Sequence, residues 1–358
     1  MVVGYSLGNK SDVENEIQVL GEDDINIVTF SRALMVSLTR MCRNDCGYCG
    51  FHRKDNLTVP YSTIKLAKMA RANGAREVLY AAGERPDKFP QIRATLDLWG
   101  FDSYLEYLYT VCELGFLEGL IPVIEVGFLS PVEMKKLSEI CAVVKIMLDS
   151  VDESSYATVY PRSPGKKSEL RLKSLAWAGK IKLPASTGIL VGIGETKEHR
   201  RDMLKQIAEI HKEYGMIQEV VIQNFIPEKN TPFEGKEPPT KATMLDTVEM
   251  ALEILQSDIN VVVPIESNPD IADFIRAGIR DIGRLTEGPR QMFPQQAPLT
   301  QLQVARVVEE LGFSLQQRFP LRFNAIKEGK YSKKLGQVFD AYRYKIKKDE
   351  QEKVKNSK

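Results

Sequence analysis

The stretch Met-Cys-Arg-Asn-Asp-Cys-Gly-Tyr-Cys-Gly-Phe-His spans residues 41–52 and follows an apolar run at Ala33–Leu38. It places thiols at Cys42, Cys46 and Cys49. A short apolar run is typical of a buried strand, so the pattern predicts three thiols on one tight loop at the end of a strand. Thiolates are soft ligands that favour iron–sulfur clusters or zinc. Three thiolates on a four-iron cluster would leave one iron free to bind a substrate or a cofactor.

Zinc is the alternative for this loop, because His52 could supply the fourth ligand of a tetrahedral site. A disulfide is disfavoured, since close spacing in a chain without secretory features suits a metal better. The two remaining cysteines, Cys112 and Cys141, lie within or at the end of predicted helices. We expect both to be small core residues, as free cysteines usually are.

Composition restricts the class of protein. The chain has 358 residues and a mass of 40.4 kDa, which suits one α/β barrel. Its net charge of +1 gives no overall field that would attract nucleic acid or a membrane surface. The first twenty residues carry scattered acids and lack the apolar segment of a signal peptide, and no apolar run is long enough to span a bilayer. We expect a cytoplasmic protein.

Short β-rich runs alternate with amphipathic helical stretches, which predicts βαβ units around a parallel sheet. Eight strands would close a full barrel, whereas six would leave it open. Residues 83–101 are expected to form a long loop, and residues 312–334 a connector between two C-terminal helices. We expect a lead-in at 1–29, the barrel at 30–298, and C-terminal helices with a basic tail at 299–358. The predicted strands are Ala33–Leu38, Glu77–Ala82, Pro122–Val126, Val143–Leu148, Ala185–Val191, Glu219–Asn224, Asn260–Val263 and Asp281–Arg284.

The cysteine spacing, with Tyr48 before the last cysteine, resembles the signature of the radical S-adenosylmethionine (SAM) superfamily. The flanking residues Phe30–Arg32 and Leu38–Cys49 resemble the CofG family, which makes the deazaflavin FO. The resemblance implies a TIM-like radical SAM barrel with a C-terminal helical extension. It implies a [4Fe–4S] cluster on the three cysteines, with SAM at the open iron. SAM would be cleaved to a 5′-deoxyadenosyl radical that acts on a hydroxybenzyl–ribityl-diaminouracil adduct, which cyclises to FO with loss of ammonia. A companion radical SAM subunit would supply the adduct, and ferredoxin or flavodoxin the electron.

The resemblance also assigns residues to SAM. Gly83 and Glu84, which follow strand two, would hold its amino group, although the segment alone reads as an ordinary turn. Asp149 and Ser150 end strand four, near the expected position of the ribose, and could equally be a cap. Arg171 would bind the SAM carboxylate; without the resemblance it would be a surface helix arginine.

Two further segments are expected near the adenine. The stretch from Gly188 through Gly192 to Glu195 ends strand five and matches the family's adenine-wall region. A dinucleotide-binding motif is the competing interpretation, but its third glycine position falls on Lys197. Asn224 ends strand six and could bind adenine or substrate, or could cap a loop.

The half of the cavity expected to hold the substrate departs from the family pattern. Glu125, Glu266 and Arg284 place charges there, and buried charges are costly unless they are paired. They would pair with each other or bind something polar, so a CofG-like paralogue with a different substrate stays an alternative. A non-enzymatic zinc protein is a more remote one. His199 and His211 are expected to be solvated, and motifs of conventional hydrolases and kinases are missing from the sequence.

Overall fold

The computed structural model describes residues 26–52, 54–150, 156–287 and 299–356. Eight parallel strands close a barrel, because β1 pairs with both the second and the eighth strand. This confirms the predicted α/β barrel. Part of the lead-in and the end of the basic tail lie outside the described residues. The strands are β1 (Ile27–Thr39), β2 (Glu77–Ala82), β3 (Ile121–Glu125), β4 (Val143–Lys145), β5 (Ala185–Val191), β6 (Ile217–Asn224), β7 (Asn260–Val262), β8 (Asp281–Glu287) and β9 (Ser314–Gln317).

Helices cover the outside of the barrel and pack apolar faces against its strands. One apolar cluster joins β1–β4 to the first helices and the C-terminal helices, and a second lies around β5–β7. Cys112 and Cys141 are buried in the first cluster, as predicted, with their sulfurs 3.6 Å apart. The helices are α1 (Pro60–Ala72), α2 (Pro90–Leu98), α3 (Tyr104–Leu117), α4 (Pro131–Leu137), α5 (Tyr156–Val159), α6 (Ser168–Lys180), α7 (Lys197–Tyr214), α8 (Lys241–Ile254), α9 (Ile271–Arg276), α10 (Gln301–Glu310), α11 (Phe323–Glu328) and α12 (Lys333–Asn356).

Two segments expected to be irregular contain regular structure. The predicted loop at 83–101 includes α2, which begins at Pro90, a residue well suited to the first turn of a helix, and buries Ile92 and Leu96. The predicted connector at 312–334 includes α11 and the short polar strand β9, which pairs with the start of β1. A strand of four mostly polar residues has no hydrophobic period by which it could be predicted.

His211 was expected to be solvated, and this prediction is wrong. The imidazole is buried at the end of α7, where its Nδ1 accepts a hydrogen bond from the backbone of Ile217. Its Nε2 lies 3.1 Å from the Asp258 carboxylate. The residue joins the helix to the start of β6, a contact that helical periodicity alone does not reveal.

A buried ionic network closes the amino-terminal end of the barrel. It joins three carboxylates at or near strand starts to three arginines, two of which come from the segment after β9. The charges balance, which offsets the cost of burying them. The members of the network are Glu77, Glu219, Asp281, Arg284, Arg318 and Arg322.

Within the described residues, no helix is long and apolar enough to cross a membrane.

Candidate active site

The cysteine loop leaves the carboxyl end of β1, the end at which barrel enzymes place their active sites. Asp55 fixes the start of the loop by accepting hydrogen bonds from Thr39 Oγ1 at 2.7 Å and from the Arg40 backbone at 2.8 Å. The Arg40 guanidinium donates to the carbonyls of Gly50 and Phe51 at 2.9 and 2.8 Å. These contacts fold the loop back over the barrel mouth.

All three thiols, Cys42, Cys46 and Cys49, line one cavity of about 470 Å³. The Cys42 sulfur accepts backbone hydrogen bonds from Glu84 at 3.2 Å and Asn44 at 3.4 Å. Such donors stabilise a thiolate, the form that binds iron. Burial raises the pKa of Cys42 and raises that of Cys46 to about 12, so metal binding would have to displace the protons. The donor set fits an iron–sulfur cluster.

His52 also lines the cavity, at its mouth. In the part of the chain that the structure describes, no three His, Cys, Asp or Glu side chains are grouped so that they could hold one metal ion. The mononuclear zinc alternative therefore gains no support from the described residues.

Glu84 lies beside the cysteine loop and is almost fully buried. Its carboxylate pairs with Arg171 at 2.6 Å and Arg43 at 2.9 Å, and accepts a hydrogen bond from the Phe128 backbone at 3.0 Å. Burial raises the pKa of Glu84, but the two guanidinium groups outweigh it and hold the pKa below its usual value. The sequence predicted Glu84 and Arg171 as separate SAM contacts, and the structure places them in one ion pair.

Glycines make room for this pair. A Cβ on Gly83 would lie 2.1 Å from the Met41 carbonyl oxygen, so only glycine lets β2 approach the cysteine loop this closely. A Cβ on Gly165 would lie 1.5 Å from the Glu84 carboxylate. The Gly165 carbonyl also accepts a hydrogen bond from Arg171 Nε at 2.7 Å. The region around Gly165 therefore positions both charged groups.

Asp149 lies in the left-handed region with a φ of 60°, which is uncommon for a residue other than glycine. It is buried, forms an ion pair with Lys166 and accepts a hydrogen bond from the Tyr48 hydroxyl at 3.3 Å. Burial raises the pKa of Asp149, but Lys166 outweighs it and keeps the group ionised. Asp149 and Tyr48 line the cavity, whereas Ser150 is buried beside it and does not.

Three of the predicted adenine-side residues do not line the cavity: Gly192, Glu195 and Asn224. Glu195 accepts a hydrogen bond from the Gly192 backbone at 2.9 Å and pairs with Arg200 at 3.0 Å, so it fixes the turn between β5 and α7. Asn224 accepts a hydrogen bond from Asn268 at 2.8 Å and ties β6 to the loop after β7.

The three charged residues expected on the substrate side all line the same cavity. Glu125 pairs with Lys145 at 3.0 Å on the wall formed by β3 and β4. Arg284 lies at the floor and pairs with Glu77 at 2.5 Å and with Glu219, so its charge belongs to the buried network. Glu266 follows β7 and accepts a hydrogen bond from Thr286 at 3.4 Å.

Two cavity lysines were not assigned a role from the sequence. Lys145 lies inside the predicted strand Val143–Leu148, where a charge among apolar residues is itself a signal that the side chain needs a partner. Lys166 follows a Ser-Pro-Gly turn, and only the fold brings it to Asp149. Asn44, Gln223 and Thr286 are further polar lining residues that sequence reasoning missed.

Comparison with known proteins matches the chain to characterised families. Residues 36–207 match the radical SAM superfamily. The chain is 36% identical over 319 residues to 7,8-didemethyl-8-hydroxy-5-deazariboflavin synthase of Archaeoglobus fulgidus, covering 89% of this chain and 97% of that protein. It is 34% identical over 335 residues to the synthase of Methanocaldococcus jannaschii, covering 92% and 93%.

Solved structures match in fold. The hydrogenase maturase HydG of Carboxydothermus hydrogenoformans superposes with a TM-score of 0.68 at 16% identity, covering 90% of this chain and 79% of that one. Methylornithine synthase (PylB) superposes with a TM-score of 0.64 at 16% identity, covering 85% and 86%. The chain belongs to the radical SAM superfamily and, within it, to the family of 7,8-didemethyl-8-hydroxy-5-deazariboflavin synthases.

Proposed function

We propose that this enzyme forms FO by cyclising a hydroxybenzyl–ribityl-diaminouracil adduct with loss of ammonia. The observation that carries the proposal is that three cysteine thiols and a separate set of polar side chains line one cavity. One half of that cavity suits the cofactors of a radical SAM enzyme, and the other half suits a polar organic molecule. The near full-length similarity to FO synthases selects the reaction.

A bound [4Fe–4S] cluster would supply the electron for cleavage of SAM to a 5′-deoxyadenosyl radical, which would abstract a hydrogen atom from the substrate. Cys42, Cys46 and Cys49 would hold the cluster, and the backbone donors at Asn44 and Glu84 would stabilise the Cys42 thiolate. With three protein ligands, one iron is left for SAM.

The charged residues beside the cysteines would bind the amino-acid end of SAM. The Glu84 carboxylate matches an ammonium group, and the Arg171 guanidinium matches a carboxylate. Their ion pair holds both side chains in place, so little conformational entropy is lost when a ligand binds. Asp149 and Tyr48 would lie beside the ribose, while Gly192, Glu195 and Asn224 would act indirectly by fixing the loops around the adenine.

The proposed reaction requires partners. A companion radical SAM subunit would make the adduct, and a low-potential carrier such as ferredoxin or flavodoxin would deliver the electron. We place the enzyme in the cytoplasm, where reducing conditions suit an oxygen-sensitive cluster.

A second candidate is the same radical chemistry on a different polar small molecule. It is favoured by the departure of Glu125, Glu266 and Arg284 from the family pattern, since all three line the substrate half of the cavity. The two candidates share their cofactors and differ only in the substrate that binds in the cavity.

The deciding experiment is an anaerobic incubation of reconstituted protein with SAM, a reductant and the adduct, followed by FO fluorescence. We expect FO together with 5′-deoxyadenosine. Formation of 5′-deoxyadenosine without FO would favour the second candidate, and formation of neither would contradict both.

A further inference from the structure

One carboxylate in the cavity differs from the others in its pairing. Among the described residues that line the cavity, Glu84, Glu125 and Asp149 each pair with a lysine or an arginine. Glu266 forms no ion pair with any described residue, and its carboxylate accepts a long hydrogen bond from Thr286 and one from its own backbone amide. A carboxylate enclosed by protein without a cation is costly.

Two cations act on Glu266 through space, Lys145 and Arg284, but both already have partners. Lys145 pairs with Glu125, and Arg284 pairs with Glu77 and Glu219. Burial accordingly raises the pKa of Glu266, against the smaller opposing effects of its hydrogen bonds and of these two cations. The carboxyl group lacks the cationic partner that the other acids of the cavity have.

The surroundings of Glu266 define the shape of what could bind it. Glu266 and Thr286 belong to the β7–β8 side of the barrel, four strands away from the Lys145–Glu125 pair on β3 and β4. In a ring of eight strands these are opposite walls. Apolar side chains lie between them, beside the paired Arg284 at the floor, and include Met35, Leu79, Met147, Val221 and Val262. A molecule with an apolar face and polar groups at two opposite edges would fit this arrangement.

We propose that Glu266 binds the amino nitrogen of the substrate, the group that the reaction releases as ammonia. The inference rests on the proposed function. An amine or ammonium group is preferred over a hydroxyl because it donates several hydrogen bonds to the carboxylate and, when charged, also neutralises it. The Lys145–Glu125 pair faces the opposite edge of the same molecule.

The test exploits the fact that the product has lost this amino group. Dissociation constants of the adduct and of FO are measured anaerobically on SAM-loaded holoenzyme without reductant, so that turnover does not interfere. Glu266→Gln keeps the shape of the side chain and removes the charge. We expect the adduct to bind at least tenfold more weakly, while FO and SAM affinities change less than twofold.

Glu266→Asp keeps the charge on a shorter chain and should recover part of the adduct affinity. Glu169→Gln is the matched control, because Glu169 is exposed on α6 and pairs with Lys173 on the surface. It should bind all three ligands as the wild type does.

Adduct affinity within twofold of wild type in Glu266→Gln would overturn the inference. Equal weakening of adduct and FO would also overturn it, since Glu266 would then contact a part that both molecules share. Failure of the proposed function is a different result: wild-type holoenzyme would form no FO from the adduct, before any variant is compared. In that case the amine assignment falls with it.

Discussion

Arg171 donates a hydrogen bond from Nη2 to the Glu84 carboxylate at 2.6 Å, and both side chains are almost fully buried. The two residues come from different sides of the barrel, after β2 and in α6. We propose that they bind opposite charges of one ligand, SAM. The structure adds that each is the other's partner, so a substitution at either position changes both.

Arg171→Met should weaken SAM binding at least tenfold, which corresponds to about 1.4 kcal/mol of binding free energy. It should also lower the free energy of unfolding by about 3 kcal/mol, because a buried carboxylate loses one of its two cations. Calorimetric SAM titration and urea unfolding measure the two effects.

The double variant Glu84→Gln/Arg171→Met separates the effect on SAM binding from the effect on stability. Removing both charges should restore most of the stability and none of the SAM affinity. Wild-type SAM binding by the double variant would exclude both residues from the SAM site.

Gly165→Ala should impair SAM binding although it removes no charged group. The added Cβ would lie 1.5 Å from the Glu84 carboxylate and must displace it. We expect at least a tenfold loss of SAM affinity by equilibrium titration. Gly235→Ala is the matched control, since its Cβ would meet no atom within 4 Å. Equal affinities in the two variants would refute the role of the Glu84 position.

Cys46→Ala should abolish cluster assembly and SAM cleavage, because it removes one of three ligands. Iron and sulfide content after anaerobic reconstitution and 5′-deoxyadenosine formation provide the measurement. Cys112→Ala, in the apolar core between α3 and the strands, should retain both properties. A Cys46→Ala protein that still cleaves SAM would invalidate the ligand assignment.

The buried network predicts loss of stability in acid. Burial alone would raise the pKa of Asp281, but the guanidinium groups of Arg318 and Arg322 lower it to about 2. In the unfolded chain an aspartate has a pKa of about 3.9, so the unfolded state binds the proton more readily. The contribution of Asp281 is therefore complete above about pH 5 and is lost progressively as the pH falls towards 2.

Asp281→Asn should lower the free energy of unfolding at pH 7 and make its decline between pH 5 and 3 shallower. Urea unfolding at several pH values measures both. Asp246→Asn, at an exposed pair with Lys197, should reproduce the wild-type profile. An unchanged slope in Asp281→Asn would mean that this carboxylate is not the group that titrates.

The barrel could be predicted because its strands are buried apolar runs bounded by turn residues. The strand Ala185–Val191 and the helix Lys197–Tyr214 have the predicted bounds. The polar strand β9 could not be predicted, because its place is set by the unpaired start of β1 rather than by its own residues. The burial of His211 could not be predicted from its helix, because its partners are the start of β6 and Asp258.

The candidate site was predicted in part. The loop that carries the three cysteines could be predicted from local sequence alone, because their spacing is distinctive. The pairs Glu125–Lys145 and Asp149–Lys166 depend on which strands are neighbours and on where the loops return, so they required the fold. Arg284 was expected to face a substrate, but its charge is matched by Glu77 and Glu219 at the barrel floor.

The central claim is that three protein ligands hold the cluster and leave one iron for SAM. Electron paramagnetic resonance of the reduced, reconstituted protein, recorded with and without SAM, tests it most directly. The account predicts a [4Fe–4S] signal whose g-values shift when SAM is added. A spectrum that SAM leaves unchanged, or a protein that holds a single zinc ion, would contradict it.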